Sequence, residues 1–132
     1  MWDLITGEQV AGPLTGHEGM VCAVATAEIE GRPHVVTTGD DATVRLWDLS
    51  IRRPVGKPMR AYDSMRAVAM TAVDGRPHAI TASASVAEVW DLTTREQVGR
   101  ELIFPSGISA LAVASDGRLV VGGGELVVLA RR

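Results

Sequence analysis

His17, Asp41 and the hydroxyls around them are the residues of this chain whose types suit acid–base or nucleophilic chemistry. A hydrolytic triad needs an exposed nucleophile, a base and an oxyanion hole. No sharp strand-to-helix elbow is written here to present them, so a structural hydrogen-bonding role outweighs catalysis, and the chain is not expected to be an enzyme. His34 and His78 each follow a proline. They read as surface or strand-start histidines, since one position repeated in neighbouring units need not converge on a metal. Asp40-Asp41 lacks the spaced acidic loop that holds calcium. Gly122-Gly123-Gly124 shares only its glycine content with a phosphate loop. No Gly-Lys-Ser/Thr and no helix follow it, so it reads as a hairpin turn. Neither a cofactor nor a metal is expected.

Arg52, Arg53, Lys57, Arg60 and Arg66 make the one basic cluster. Such charge can meet phosphate or an acidic partner, but on an outermost strand it blocks edge-to-edge pairing, and that reading is preferred. A net charge of −3 gives no global field for nucleic acid, and 46% apolar residues suit a packed core. The single Cys22 excludes an internal disulfide and fits a reducing cytosol. No apolar run nears the roughly 18 residues of a spanning helix, and no basic-then-apolar leader opens the chain. A cytoplasmic protein with neither membrane nor nucleic-acid partner is expected.

The elements that position these residues repeat. Trp-Asp-Leu occurs at Trp2, Trp47 and Trp90, at intervals of 45 and 43 residues. Gly31-Arg32-Pro33-His34 returns as Gly75-Arg76-Pro77-His78. Glu8-Gln9-Val10 returns two periods later as Glu96-Gln97-Val98, and Ala23-Val24-Ala25 as Ala67-Val68-Ala69. A fixed period of this size marks stacked units. Within each, short runs rich in Val, Ile, Ala and Thr are bounded by Gly, Asp and Pro, which predicts strands. The first full unit gives strands near 21–27, 34–38, 43–49 and 54–59. The second gives 65–73, 78–82, 86–92 and 97–102. A shorter last unit gives 108–114, 119–121 and 125–129. Residues 1–4 read as the tail of a third strand and 8–14 as a fourth. The chain is one domain of units at 1–14, 15–59, 60–102 and 103–132, the first and last partial.

These residues resemble the WD-repeat family, most densely from Gly39 to Asp48 and more weakly over nearly the whole chain. The resemblance, to a bacterial-type member and its C-terminal part, implies an all-β fold: a β-propeller segment of about three antiparallel four-stranded blades. It also implies a buried structural tetrad of His17, Thr37, Asp41 and Trp47. In the second unit Tyr62 falls near the histidine position and Ala84 or Ser85 near the aspartate, while Thr81 and Trp90 remain. That unit is expected to be held by packing alone.

Three blades do not close a ring that takes about four or more. The segment is expected to stay open or to close by self-association, as part of a longer propeller or as several copies. The function implied is a protein-interaction scaffold with an unidentified protein partner. The expected binding rim comprises the loops around Glu18, Met20, Asp40, Asp63 and Met65. The alternative is a sensor module of a bacterial signalling protein fused to a kinase or protease.

Overall fold

The structure, a computed structural model, describes residues 5–8, 16–105, 107–114, 118–124 and 126–129. Trp2, the strand tail at 1–4 and all but Glu8 of the strand expected at 8–14 lie outside them. Three antiparallel sheets follow one another along the described chain. The first holds β1 (Val21–Ile29), β2 (Arg32–Gly39), β3 (Thr43–Asp48), β4 (Arg53–Pro54) and β5 (Met59–Arg60). The second holds β6 (Ala67–Val73), β7 (Arg76–Ala82), β8 (Val86–Asp91) and β9 (Glu96–Ile103). The third holds β10 (Ala110–Val113), β11 (Leu119–Gly122) and β12 (Leu126–Leu129).

Each sheet is a simple up-and-down meander. The fourth strand expected at 54–59 is instead the two dipeptides β4 and β5, both paired with β3. Pro54 and Pro58 have no N–H to give to a continuous ladder, and Gly56 turns the chain between them at φ +69°. The basic cluster falls on and around this broken outer strand.

Two-residue turns set the register of the innermost hairpins. Glu30-Gly31 joins β1 to β2 with φ of 52° and 74°, and Asp74-Gly75 joins β6 to β7 with 53° and 76°. Two successive positive φ values match the right-handed twist of the flanking strands. The pairing that results puts Ala25 opposite Val36 and Met70 opposite Ala79.

Strand alternation then sends apolar residues to both faces of a sheet. Val36, Val44, Leu46 and Met59 leave one face of the first sheet and meet Ala79, Trp90 and Leu92 from the second. The opposite face of the second sheet sends Ile80, Ala82 and Ala87 against Ile108, Leu119 and Val121 of the third region. The core is therefore two apolar seams between stacked sheets. Among the described residues no helix is long and apolar enough to cross a membrane.

The turns give a pair of opposite expectations. A side chain at Gly75 meets open space, so Gly75→Ala carries only the left-handed backbone cost, about 1–2 kcal/mol. Glu30→Asn places a residue that tolerates this conformation and gains about 0.5 kcal/mol. Urea denaturation of the two variants checks both signs.

Candidate functional site

The polar residues of the first sheet converge on its face away from the second sheet. The β2–β3 pairing places Thr37 and Trp47 on that face, and the segment before β1 brings His17 over them. Trp47 Nε1 donates to Thr37 Oγ1 at 2.9 Å, and His17 Nε2 lies 2.6 Å from the same hydroxyl. His17 Nδ1 stands 3.1 Å from Asp41 Oδ1. A carboxylate only accepts, so Nδ1–H donates to it, Thr37 donates its hydroxyl to Nε2, and the threonine oxygen accepts from the indole. Every member is satisfied in this one arrangement.

Asp41 is the hub. It also accepts from Thr43 Oγ1 at 2.7 Å and from the Glu18 amide at 3.0 Å, with Arg45 at 3.4 Å. Burial works to raise its pKa, but the Thr43 hydroxyl, the Glu18 amide and His17 together hold it well below the usual carboxylate range. The His17 side chain is only 3% exposed, and its ring is closed in by the Gly39 backbone. A Cβ added to Gly39 would sit 2.6 Å from His17 Nδ1. This geometry fixes a loop onto a sheet, with both ring nitrogens of His17 engaged by Asp41 and Thr37.

The second sheet keeps half of the network. Trp90 Nε1 donates to Thr81 Oγ1 at 2.9 Å. Tyr62 does not enter the histidine position: its side chain is exposed, and its backbone amide donates instead to Glu88 Oε1 at 2.8 Å. This sheet is thus not held by packing alone, as the loss of His and Asp implied. The carboxylate comes from the middle of β8, where motif spacing gives no reason to look.

A second polar cluster, missed in the sequence, repeats at the other end of both full sheets. Asp48 pairs with Arg32 at 2.8 Å and faces His34 Nε2 at 3.8 Å, while His34 Nδ1 donates to the Arg32 carbonyl. Its other oxygen accepts from the Ser50 amide at 2.8 Å. Asp91, Arg76, His78 and Thr93 repeat this at 2.9, 3.9 and 2.8 Å. His34 and His78 are buried rather than on the surface. The available signal was that Gly-Arg-Pro-His and Trp-Asp return together, because His34 pairs with Asp48 across the strands as His78 does with Asp91.

The expected rim residues divide. Glu18, Met20, Asp40 and Asp63 are exposed. The Asp40 amide donates to the Met20 carbonyl, and Ser64 Oγ reaches Asp40 Oδ1 at 3.5 Å, which ties the rims of the two sheets together. Met65 is a correction: it is 1% exposed, and its carbonyl accepts from the buried Thr38 hydroxyl. That bond draws the loop inward and puts the Met65 side chain in the core. Tyr62, not expected there, takes its place on the rim at 71% exposure.

Residues 8–48 match the family described as WD domain, G-beta repeat. The stacked antiparallel sheets have the architecture of a WD-repeat propeller segment. Its sheets are propeller blades, and the network on His17 and Asp41 lies within the matched blade. Over 49 residues, 37% of this chain and 9% of the relative, it is 45% identical to autophagy-related protein 16 of Arabidopsis thaliana. Over 127 residues, 89% of this chain and 28% of the relative, it is 27% identical to the guanine nucleotide-binding protein subunit beta of Saccharomyces cerevisiae. The chain spans less than a third of either relative. Both organisms are eukaryotes and give the bacterial-type expectation no support.

Four substitutions separate the roles of these groups. Gly39→Ala must displace His17 and is expected to cost about 1–3 kcal/mol in chemical denaturation. Asp48→Ala strands the Ser50 amide, at about 1–3 kcal/mol, whereas Arg32→Ala breaks a half-exposed pair worth about 0–1 kcal/mol. Asp41 has its pKa lowered by folding, so its stabilisation is complete above the ordinary carboxylate value and lost as pH falls toward the folded one. Between about pH 5 and pH 2 the native chain should lose stability more steeply than Asp41→Asn.

Proposed function

We propose that this chain is a non-catalytic protein-interaction scaffold, and that its partner docks on the rim formed by Glu18, Met20, Asp40, Tyr62 and Asp63. The observation that carries this reading is the pairing of two large exposed side chains, Met20 at 69% and Tyr62 at 71%, with exposed carboxylates at one end of neighbouring blades. Exposed methionine and aromatic groups beside charge suit a protein contact. The WD-repeat match and the two relatives support the same reading. A photo-crosslinking residue placed at Met20 or Tyr62 should yield one discrete protein adduct in cytoplasm, weakened by Asp40→Lys. Equal labelling from Glu28, at the opposite end, would overturn the rim assignment.

The blades belong to a propeller that further blades complete, from a longer polypeptide or from other copies of this chain. Val24 is 62% exposed, although its repeat counterpart Val68 packs into the seam between the first two blades. Leu126 and Val128 are likewise open on the third blade. Taken alone, the chain should self-associate through these faces. Light scattering tests this: a mass above one chain is expected, and a cooperatively melting monomer contradicts it.

A further inference from the structure

The first two blades hold their lead-in loops by the same backbone position and by different carboxylates. The amide of Glu18 donates to Asp41 in the first blade, and the amide of Tyr62, 44 residues later, donates to Glu88 in the second. The motif Gly-Arg-Pro-His returns at that same 44-residue offset. Asp41 lies in the turn after β2, whereas Glu88 projects from the middle of β8, directly across from Thr81. It stands where the first blade carries Arg45, which is directly across from Thr37. The anchoring charge has moved from a turn to a strand, and the histidine that accompanied it is gone.

The two carboxylates sit in opposite surroundings. Asp41 is ringed by Thr43, Glu18, His17 and Arg45. Glu88 is 1% exposed, and no cation stands in salt-bridge contact with it among the described residues, whereas Asp41 has Arg45. Its charged neighbour on β9 is Glu101, of like sign. The other charged groups on the elements around it are Arg76 and His78 on β7, Glu96 and Arg100 on β9, Arg60 on β5, and Asp63 and Arg66 on the loop before β6.

That loop is also the joint between the blades. Ala61 donates its amide to Ala42 of the first blade, Tyr62 to Glu88 of the second, and Met65 accepts from Thr38 of the first. We infer that Glu88 replaces the Asp41 anchor in the second blade and makes the 61–65 joint a pH-responsive hinge, closed while Glu88 is protonated and loosened when it ionises. Ionisation places an unpaired charge inside the joint, and the loop that covers it must lift for water to reach it. Burial first, and then Glu101, raise the pKa of Glu88, against the opposing pull of the Tyr62 amide. A carboxyl raised by folding stabilises fully below its ordinary value and loses that contribution as pH rises through the folded one. The first blade, anchored on Asp41, has the opposite sign and weakens in acid.

Amide exchange of the full chain, read by NMR from about pH 4 to pH 8 and divided by the intrinsic rates, tests the hinge. Protection of the Tyr62 amide should fall with rising pH, by up to about tenfold per unit. Protection of the Glu18 amide, and of the Val36 amide as a reporter of the core, should stay level over that range. Glu88→Gln keeps an acceptor without a charge, so Tyr62 should stay protected and lose its pH dependence. Level protection of Tyr62 in the native chain overturns the proposal, and so does an unchanged pH dependence in Glu88→Gln. Should that variant not fold, the comparison of Tyr62 with Glu18 in the native chain still decides.

Discussion

A β-sheet with apolar side chains on both faces has to be covered on both faces, and nearly everything in this molecule answers to that demand. Val36, Val44 and Leu46 cannot remain in water, and neither can Ile80, Ala82 and Ala87 on the far side of the next sheet. Stacking one sheet on the next removes both sets at once, at roughly 25 cal/mol per Å² of apolar surface. The fold therefore grows by repetition, each blade stabilised chiefly by its neighbours.

Stacking leaves a problem that apolar contact does not solve. The segments passing from one blade to the next bring backbone amides and carbonyls to the seam, where an unpaired group costs about 1–3 kcal/mol. Acidic side chains meet that need. Asp41 and Glu88 take the lead-in amides at one end, while Asp48 and Asp91 take the amides of the turns at the other. In the two Trp-Asp pairs among the described residues, the Asp is thus a fastening for the turn that follows it, and the Trp is held through a threonine hydroxyl. The same fastenings leave Met20 and Tyr62 standing outward on the rim.

Much of this was legible before any coordinates. Strand positions follow from short β-branched runs between Gly, Asp and Pro, because turn residues carry their own backbone geometry. The split of the fourth strand into β4 and β5 was harder to see, since it depends on where two prolines fall relative to ladder positions on β3. The residues around Asp41 were nameable by resemblance alone. Glu88 was not: a glutamate in mid-strand reads as a solvated side chain until the neighbouring loop is seen to lie over it. Met65 misled for the converse reason, since a loop residue beside an acidic rim looks exposed until the Thr38 hydroxyl is found pulling its carbonyl inward.

The seam between the first two blades is the claim on which the rest stands. A double-mutant cycle between Leu46 and Trp90, one from each blade, measures it by the free energy of unfolding. Residues that pack across a shared seam should couple by about 0.5–3 kcal/mol. Strict additivity of Leu46→Ala and Trp90→Ala would mean that the blades do not rest on one another, and would contradict the account.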